Sequence, residues 1–328
     1  MNIKKASMRD IAHKLNISVV SVSKAINNQS GVSDDLRQKI LDEAFRIGYI
    51  SLRREPSALS KKLAYVTSKR FAFEGEVFFT QIFYYLNELC NAKEIALSLF
   101  TVNKDDEGKL GIPAVINAGN FDGVFVGGEI SELYVHSLQN LDLPVVCIDF
   151  YKSDVDVDYI IMDNFYASYS ATMYLIKSGH SRIGYVRNPI SDASYLDRFF
   201  GCQKALFQQK LEFRPDWRLI STDSLELPAE MPTAFVCDND TIAISLMKVL
   251  SKNNYAVPED VSVIGFDDIE TSKNQKPPLT TVEISRSLFA EKAFERMMNR
   301  ISDRSAPFQR VLLDTKLIVR ESVKNISK

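Results

Sequence analysis

Five polar side chains stand close behind apolar runs: Asp149 after VVCI, Asn239 and Asp240 after AFVC, and Asp267 and Asp268 after VIGF. Carboxylates and an amide there are directional hydrogen-bonding groups at the ends of what read as parallel strands, where open α/β sheets bind ligands. Any one of them alone could cap the next helix and do nothing more. Their recurrence at successive strand ends favours a shared polar cleft. The implied chemistry is binding rather than turnover. GxxxxGK(S/T), HExxH, GxSxG and a GxGxxG behind a strand are absent, and GVFVGGE around Gly127 and Gly128 is too loose for a phosphate loop. Four cysteines, at 90, 147, 202 and 237, stand singly among only three histidines, without a CxxC. Those at 147 and 237 sit in apolar runs, so they read as buried thiols of a reducing compartment. No metal or other cofactor is implied, and enzymatic activity has no positive support.

The elements that must position these groups are short apolar runs: Leu63–Val66, Ile95–Val102, Val124–Val126, Val145–Ile148, Ile183–Val186, Ala234–Cys237 and Val261–Phe266. Segments long enough for helices separate them, and this alternation predicts two doubly wound α/β lobes with parallel sheets. Phe78, Phe79 and Phe165 are candidates to line the cleft between the lobes, although aromatic residues at helix starts often serve packing. Trp217 is left out of the site. At 328 residues, 45% hydrophobic and 25% charged, the chain has an ordinary soluble composition and room for more than one core. Its basic start is not followed by an apolar stretch, and no run approaches the roughly 18 apolar residues of a membrane span. Export and membrane insertion are disfavoured, and a cytoplasmic protein is expected.

The first 49 residues have a different texture. Met8, Ile11, Ala12 and Leu15 have helical spacing, and Asn16 and Ile17 can turn the chain. Ser18 stands where an N-cap belongs, ahead of a short helix through Ile26. After NNQSG a third helix starts behind Ser33, with Asp34 and Asp35 in its first turn and Leu36, Ile40, Leu41, Ala44 and Phe45 along one face. The pattern fits a helix-turn-helix, and equally a plain three-helix packing unit. Charge helps to choose. Residues 1–62 carry twelve Lys or Arg against six Asp or Glu, while the remainder carries 28 against 36, so a basic head sits on an acidic body. Such asymmetry points to a polyanion partner for the head. The sequence therefore divides into a basic helical head at 1–49, a candidate for DNA binding, a polar, basic linker or degenerate hinge at 50–62 and an α/β domain at 63–328. Within the last, an N-lobe spans about 63–160, a C-lobe about 163–280, and segment 281–328 crosses between or completes the lobes.

Motifs along nearly the whole chain resemble the LacI/GalR family of transcription regulators. MRDIAHKLNISVVSVSKAIN at 8–27 is similar to the family's recognition segment, and LRQKILDEAFRIGY at 36–49 continues it. In the body, YLIKSGHSRIGYV, SYLDRFFGCQKAL, FVCDNDTIA, VPEDVSVIGFDD, PPLTTV and VRES fall in family order. There are departures. Asn16 replaces the usual turn Gly, a tolerable change because Asn also adopts left-handed dihedrals. Ser21 and Lys24 replace Thr and Arg, and Lys lacks the bidentate fork.

The resemblance implies a two-lobed domain like that of periplasmic binding proteins, an operator of double-stranded DNA, a homodimer and a small sugar effector. It places Val19, Val20 and Lys24 at base edges, where valine methyls meet the thymine methyl and Lys24 donates to guanine. The alternative for Val19 is the head's own core. Ser18, Ser21 and Asn27 fall to phosphates. The family's hinge helix, which wedges a leucine into the minor groove, is not expected here. SLRREPSALSKKL is short and has Pro56 inside it, so Leu59 alone remains as a wedge, and Arg53 and Arg54, with Lys61 and Lys62, attract phosphate instead. Carried-over effector contacts are Asp149, Arg198, Asn239 and Asp267, whose chemistry suits a polyol. Arg198 also has a reading as a salt-bridge residue. The SYLDRFFG context favours a galactose-type mono- or disaccharide. A purine or phosphosugar effector, a carbohydrate-binding protein without a regulatory role, and an enzyme acting on sugars are the alternatives.

Overall fold

The computed structural model describes residues 7–26, 29–47, 49, 61–73, 78–109, 111–189, 193–222 and 225–327. The chain divides between Ser60 and Lys61 into two units.

The first unit holds α1 (Met8–Leu15), α2 (Val19–Ile26) and α3 (Asp34–Arg46). Ile11, Ala12, Val22, Ala25, Ile40 and Ala44 form its core, the helical faces that the spacing predicts. Asn16 ends α1 with φ 51° and ψ 49°. The turn into α2 therefore uses the left-handed conformation that Asn tolerates better than most residues.

In the second unit, the chain begins with β1 (Lys62–Ser68), α4 (Lys69–Phe73), α5 (Phe78–Asn91), β2 (Ala96–Val102), α6 (Lys104–Gly108) and α7 (Ala114–Asn117). It continues through β3 (Gly123–Gly127), α8 (Glu132–Gln139), β4 (Val145–Ile148) and β5 (Asp158–Met162). The second lobe is made of α9 (Asn164–Lys177), β6 (Ile183–Arg187), α10 (Ala193–Gln208), β7 (Arg218–Ile220), β8 (Ala234–Cys237), α11 (Asp240–Lys252), β9 (Ser262–Ile264), α12 (Glu270–Lys273) and β10 (Thr281–Glu283). The chain then returns through α13 (Arg286–Ser302), β11 (Arg310–Leu313) and β12 (Lys316–Ile318).

Two parallel sheets result, one ordered β11-β5-β4-β3-β1-β2 and the other β7-β6-β8-β9, with β10 and β12 as a separate antiparallel pair. Leu63–Val66, Val124–Val126 and Val145–Ile148 are fully buried, as strands covered by helices on both faces must be. The chain passes between lobes at Met162–Asn164, Glu283–Arg286 and Leu313–Lys316. Strands β5, β7, β10, β11 and β12 lie outside the runs singled out from sequence. β11 completes the first sheet beside β5, about 150 residues away in sequence, and no local pattern announces such a pairing.

One close approach sets the geometry of the cleft. A Cβ on Gly201 would lie 2.0 Å from the Phe165 carbonyl oxygen, so glycine is what lets α10 pack against α9. That packing carries Arg198, one turn earlier on α10, into the interior.

Candidate functional site

On the head, α2 turns Val22 and Ala25 inward and leaves Val19 41% and Val20 63% exposed. Val19 is therefore not a core residue. Ser18 Oγ accepts the Ser21 N–H at 3.0 Å and lies 2.9 Å from Ser21 Oγ, so the two hydroxyls cap the helix together. At the other end, the Arg37 guanidinium on α3 donates to the carbonyls of Lys24 (3.3 Å), Ala25 (2.9 Å) and Gln29 (2.7 Å). A fixed cation on exposed carbonyls holds the C-terminus of α2. Sequence periodicity gave no sign of Arg37's role, because the contact joins two helices. Asn27, Arg53, Arg54 and Leu59 lie outside the described residues.

In the body, Phe78, Phe79, Asp149, Arg198, Asn239 and Asp267 all line one cavity of about 380 Å³ between the lobes. Phe165 does not. The neighbouring Asn164 points inward to accept from Arg198, which turns Phe165 outward into a surface groove with Phe200 and Phe207. Its assignment to the cleft is corrected accordingly.

The walls differ in chemistry. The N-lobe supplies Phe71, Phe78, Phe79 and Phe150, with Phe71 and Phe79 centroids 4.6 Å apart. The C-lobe supplies Arg198, whose Nε donates to Asn164 Oδ1 at 2.8 Å and whose Nη1 donates to the Asp238 carbonyl at 2.5 Å. Its Nη2 lies 3.6 Å from Asp267 Oδ1, and the guanidinium stacks 3.8 Å from the Phe266 ring centroid. Burial works against the charge on Arg198. Asp267, Tyr195, Asp149 and Asp238 outweigh it, so the pKa of Arg198 is raised. Burial likewise pushes Asp267 above the usual carboxylate range, with Arg198 and Arg286 opposing. Asn239 caps α11 by accepting the Ile242 N–H at 2.9 Å, and its amide faces Tyr195 Oη at 3.4 Å.

Backbone strain gathers here too. Asp149, Asp267 and Asp268 have φ of 66°, 104° and 47°, left-handed values that side chains other than glycine adopt at a cost. Two of the five strand-end residues turn away from the cavity. Asp240 accepts from Thr281 Oγ1 (2.5 Å) and the Ile269 N–H (3.0 Å), and Asp268 accepts from Arg320 (2.5 Å). Asp240 is pushed up to about 7 by burial, against the Thr281 and Ile269 hydrogen bonds.

Sequence reasoning missed Tyr195, Glu129 and Arg286, which also line the cavity. Tyr195 sits three residues before Arg198, close enough to follow from helical spacing. Arg286 opens α13 and donates from Nη2 to the Asp267 carbonyl at 2.6 Å, while its buried Nε has no hydrogen-bond partner. Glu129 accepts from Lys152 at 2.6 Å and from the Ala193 N–H of the opposite lobe at 3.3 Å. No helix among the described residues is long and apolar enough to cross a membrane.

Fold and site together define a ligand-sensing regulator: a helix-turn-helix unit in the same chain as a two-lobed binding domain. A periplasmic binding protein-like domain family matches residues 172–323. The HTH-type transcriptional repressor PurR of Mannheimia succiniciproducens is 27% identical over 338 residues, covering 98% of this chain and all of that one. Its counterpart in Haemophilus influenzae is 28% identical over 342 residues, covering 98% and 99%. The lac repressor dimer, solved with operator and the anti-inducer ONPF, aligns with a TM-score of 0.76 at 19% identity over 98% of this chain and all of that one. The regulator CelR in complex with cellobiose aligns with a TM-score of 0.71 at 22% identity over 97% and 99%. Over nearly its whole length the chain is thus similar to transcriptional repressors of the LacI/GalR type, and the relatives named are transcriptional regulators.

Proposed function

We propose that this repressor binds a near-palindromic operator as a dimer and that a small, neutral polyol in the interlobe cleft controls the binding. A galactose-containing mono- or disaccharide is the first candidate. One observation carries the reading: Asp149, Arg198, Asn239 and Asp267 converge from different strand ends and α10 on one cavity, facing an aromatic wall. Carboxylates accept from adjacent hydroxyls, the guanidinium and amide fix orientation, and the rings of Phe78 and Phe79 take the apolar face of a sugar. A phosphosugar fits less well, because Asp267 engages both Arg198 and Arg286 and Glu129, Asp149 and Glu270 add negative charge. The aromatic wall supports a second reading, in which a flat purine stacks on it.

In this reading residues 1–49 form the DNA-binding head, 50–62 the linker and 63–328 the sensor, acting in the cytoplasm. Exposed Val19 and Val20 meet thymine methyls, and Lys24 reaches guanine. Dimerisation is supported by the exposed Tyr84 and Tyr85 on α5 and Leu99 on the edge strand β2. Both the operator-bound lac repressor and the cellobiose-bound CelR share this fold, so operator and sugar are each ligands for which it has been used.

Calorimetry with sugars, purines and sugar phosphates, with and without an operator selected from fragmented genomic DNA, tests the proposal. A galactoside should bind saturably, and operator should change its affinity by the factor with which the sugar changes operator affinity. Tight purine or phosphosugar binding, or sugar binding indifferent to operator, overturns the effector assignment. Failure to retain any DNA leaves a plain carbohydrate-binding protein and overturns the repressor reading.

A further inference from the structure

Helix α10 is buried on one face through Arg198, Phe199, Gly201, Cys202, Ala205 and Leu206. Its opposite face should be polar. Instead Leu196, Phe200 and Phe207 are exposed, Phe200 by 51% and Phe207 by 84%. With Gln203 they fall at spacings of four, three and four residues, the alternation of a helix-pairing seam. The groove beside the seam, floored by Phe165, Leu211 and Phe213, encloses about 610 Å³. An apolar ridge of this kind marks an interaction surface.

We propose that this seam packs against the same seam of a second copy, antiparallel about a two-fold axis, and so joins repressor dimers into a larger assembly. Charge selects the occupant. Asp197 and Lys204 lie one heptad apart on the same flank of the ridge, each next to a seam position. In an antiparallel pair the same flanks face each other, so each Asp197 meets the partner's Lys204. A parallel pair would set this flank against the opposite one, where Phe199 and Leu206 are turned into the core. Lys204 is pre-positioned: its Nζ is 3.0 Å from Tyr166 Oη and 4.4 Å from that ring's centroid. The seam is self-complementary as well, since Leu196 falls opposite Phe207 and Phe200 opposite Gln203. Two or three partly exposed rings per copy cover on the order of 1,000 Å² in total, the weak end of specific interfaces. The contact is therefore concentration-dependent, on top of whatever interface forms the dimer.

Sedimentation velocity of the full chain from about 1 to 100 μM tests this. The wild type should show a step beyond the dimer. Phe207→Glu, at an exposed position, should raise the midpoint of that step at least tenfold without altering thermal unfolding or DNA binding by the dimer. Asp197→Lys should also weaken the step about tenfold, and Asp197→Lys with Lys204→Asp should restore it to within a few-fold. A wild type that stays dimeric throughout, as expected if the seam serves a different protein, overturns the proposal. So does a step indifferent to Phe207→Glu, and a double variant no better than the single one overturns the antiparallel arrangement.

Discussion

The head and the body break the ordinary rule of burial in opposite directions. On α2 two of the residues proposed to meet DNA, Val19 and Val20, are aliphatic yet exposed, Val20 above all. In the cleft two of the residues proposed to meet the effector are polar or charged yet buried, Arg198 at 4% and Asn239 at 7% exposed. An exposed valine costs the fold almost nothing and is free to be replaced. A buried guanidinium is tied to the packing of two lobes and to at least four neighbours. If these proposed roles hold, specificity in the head is separable from stability, whereas in the body the two are carried by the same atoms.

The comparison can be broken at Arg198 first. Arg198→Met leaves the Asp238 carbonyl and Asn164 without their donor and Asp267 without its ion-pair partner, and should cost the body about 3–5 kcal/mol as well as effector binding. Urea unfolding read in parallel with calorimetry checks both. A stable variant that merely fails to bind would show that the cleft, too, separates function from fold.

The second test uses pH. Burial raises Asp240 to about 7 and Asp238 to about 6, so the folded chain keeps protons that the unfolded chain has released. The body should be most stable below about pH 4 as far as these two groups decide, and lose on the order of several kcal/mol as pH rises from about 4 through 6 and 7. Asp240→Asn retains an acceptor for Thr281 and should flatten the slope of stability between about pH 4 and 7. An unchanged slope would remove Asp240 from the account.

In the head, Lys24→Ala should lose roughly 1–3 kcal/mol of discrimination at one base pair while unfolding as the wild type does. Equal weakening on operator and random DNA would move Lys24 to a phosphate. The smallest effect sharpens the contrast within α2 itself. Ser18→Ala removes the cap and should destabilise the head by about 1 kcal/mol, whereas Val20→Ala should stay within about 0.5 kcal/mol of wild-type stability and act only on operator affinity. Thermal unfolding and fluorescence anisotropy, measured on both, separate the two roles.

What was legible in the sequence is what short-range geometry writes there. The 3.6-residue spacing of Ile11, Ala12 and Leu15 and the unbroken apolar runs at 124–126 and 145–148 follow from backbone periodicity, so helices, parallel strands and their polar ends could be read directly. Asn16 marked the turn, and the ordered motifs carried the resemblance to the LacI/GalR family. Tertiary structure decided which polar ends face one another. Asp240 and Asp268 occupy strand ends like those of Asp149 and Asp267, yet they turn to Thr281, Ile269 and Arg320. Those partners arrive on segments whose placement depends on the crossings between lobes. Arg286 enters the cleft because α13 begins where β10 ends beside Asp267, and Phe165 leaves it because Asn164 is claimed by Arg198 from α10. Convergence of groups more than 30 residues apart depends on close approaches such as Gly201 against Phe165, and a local pattern carries no record of them.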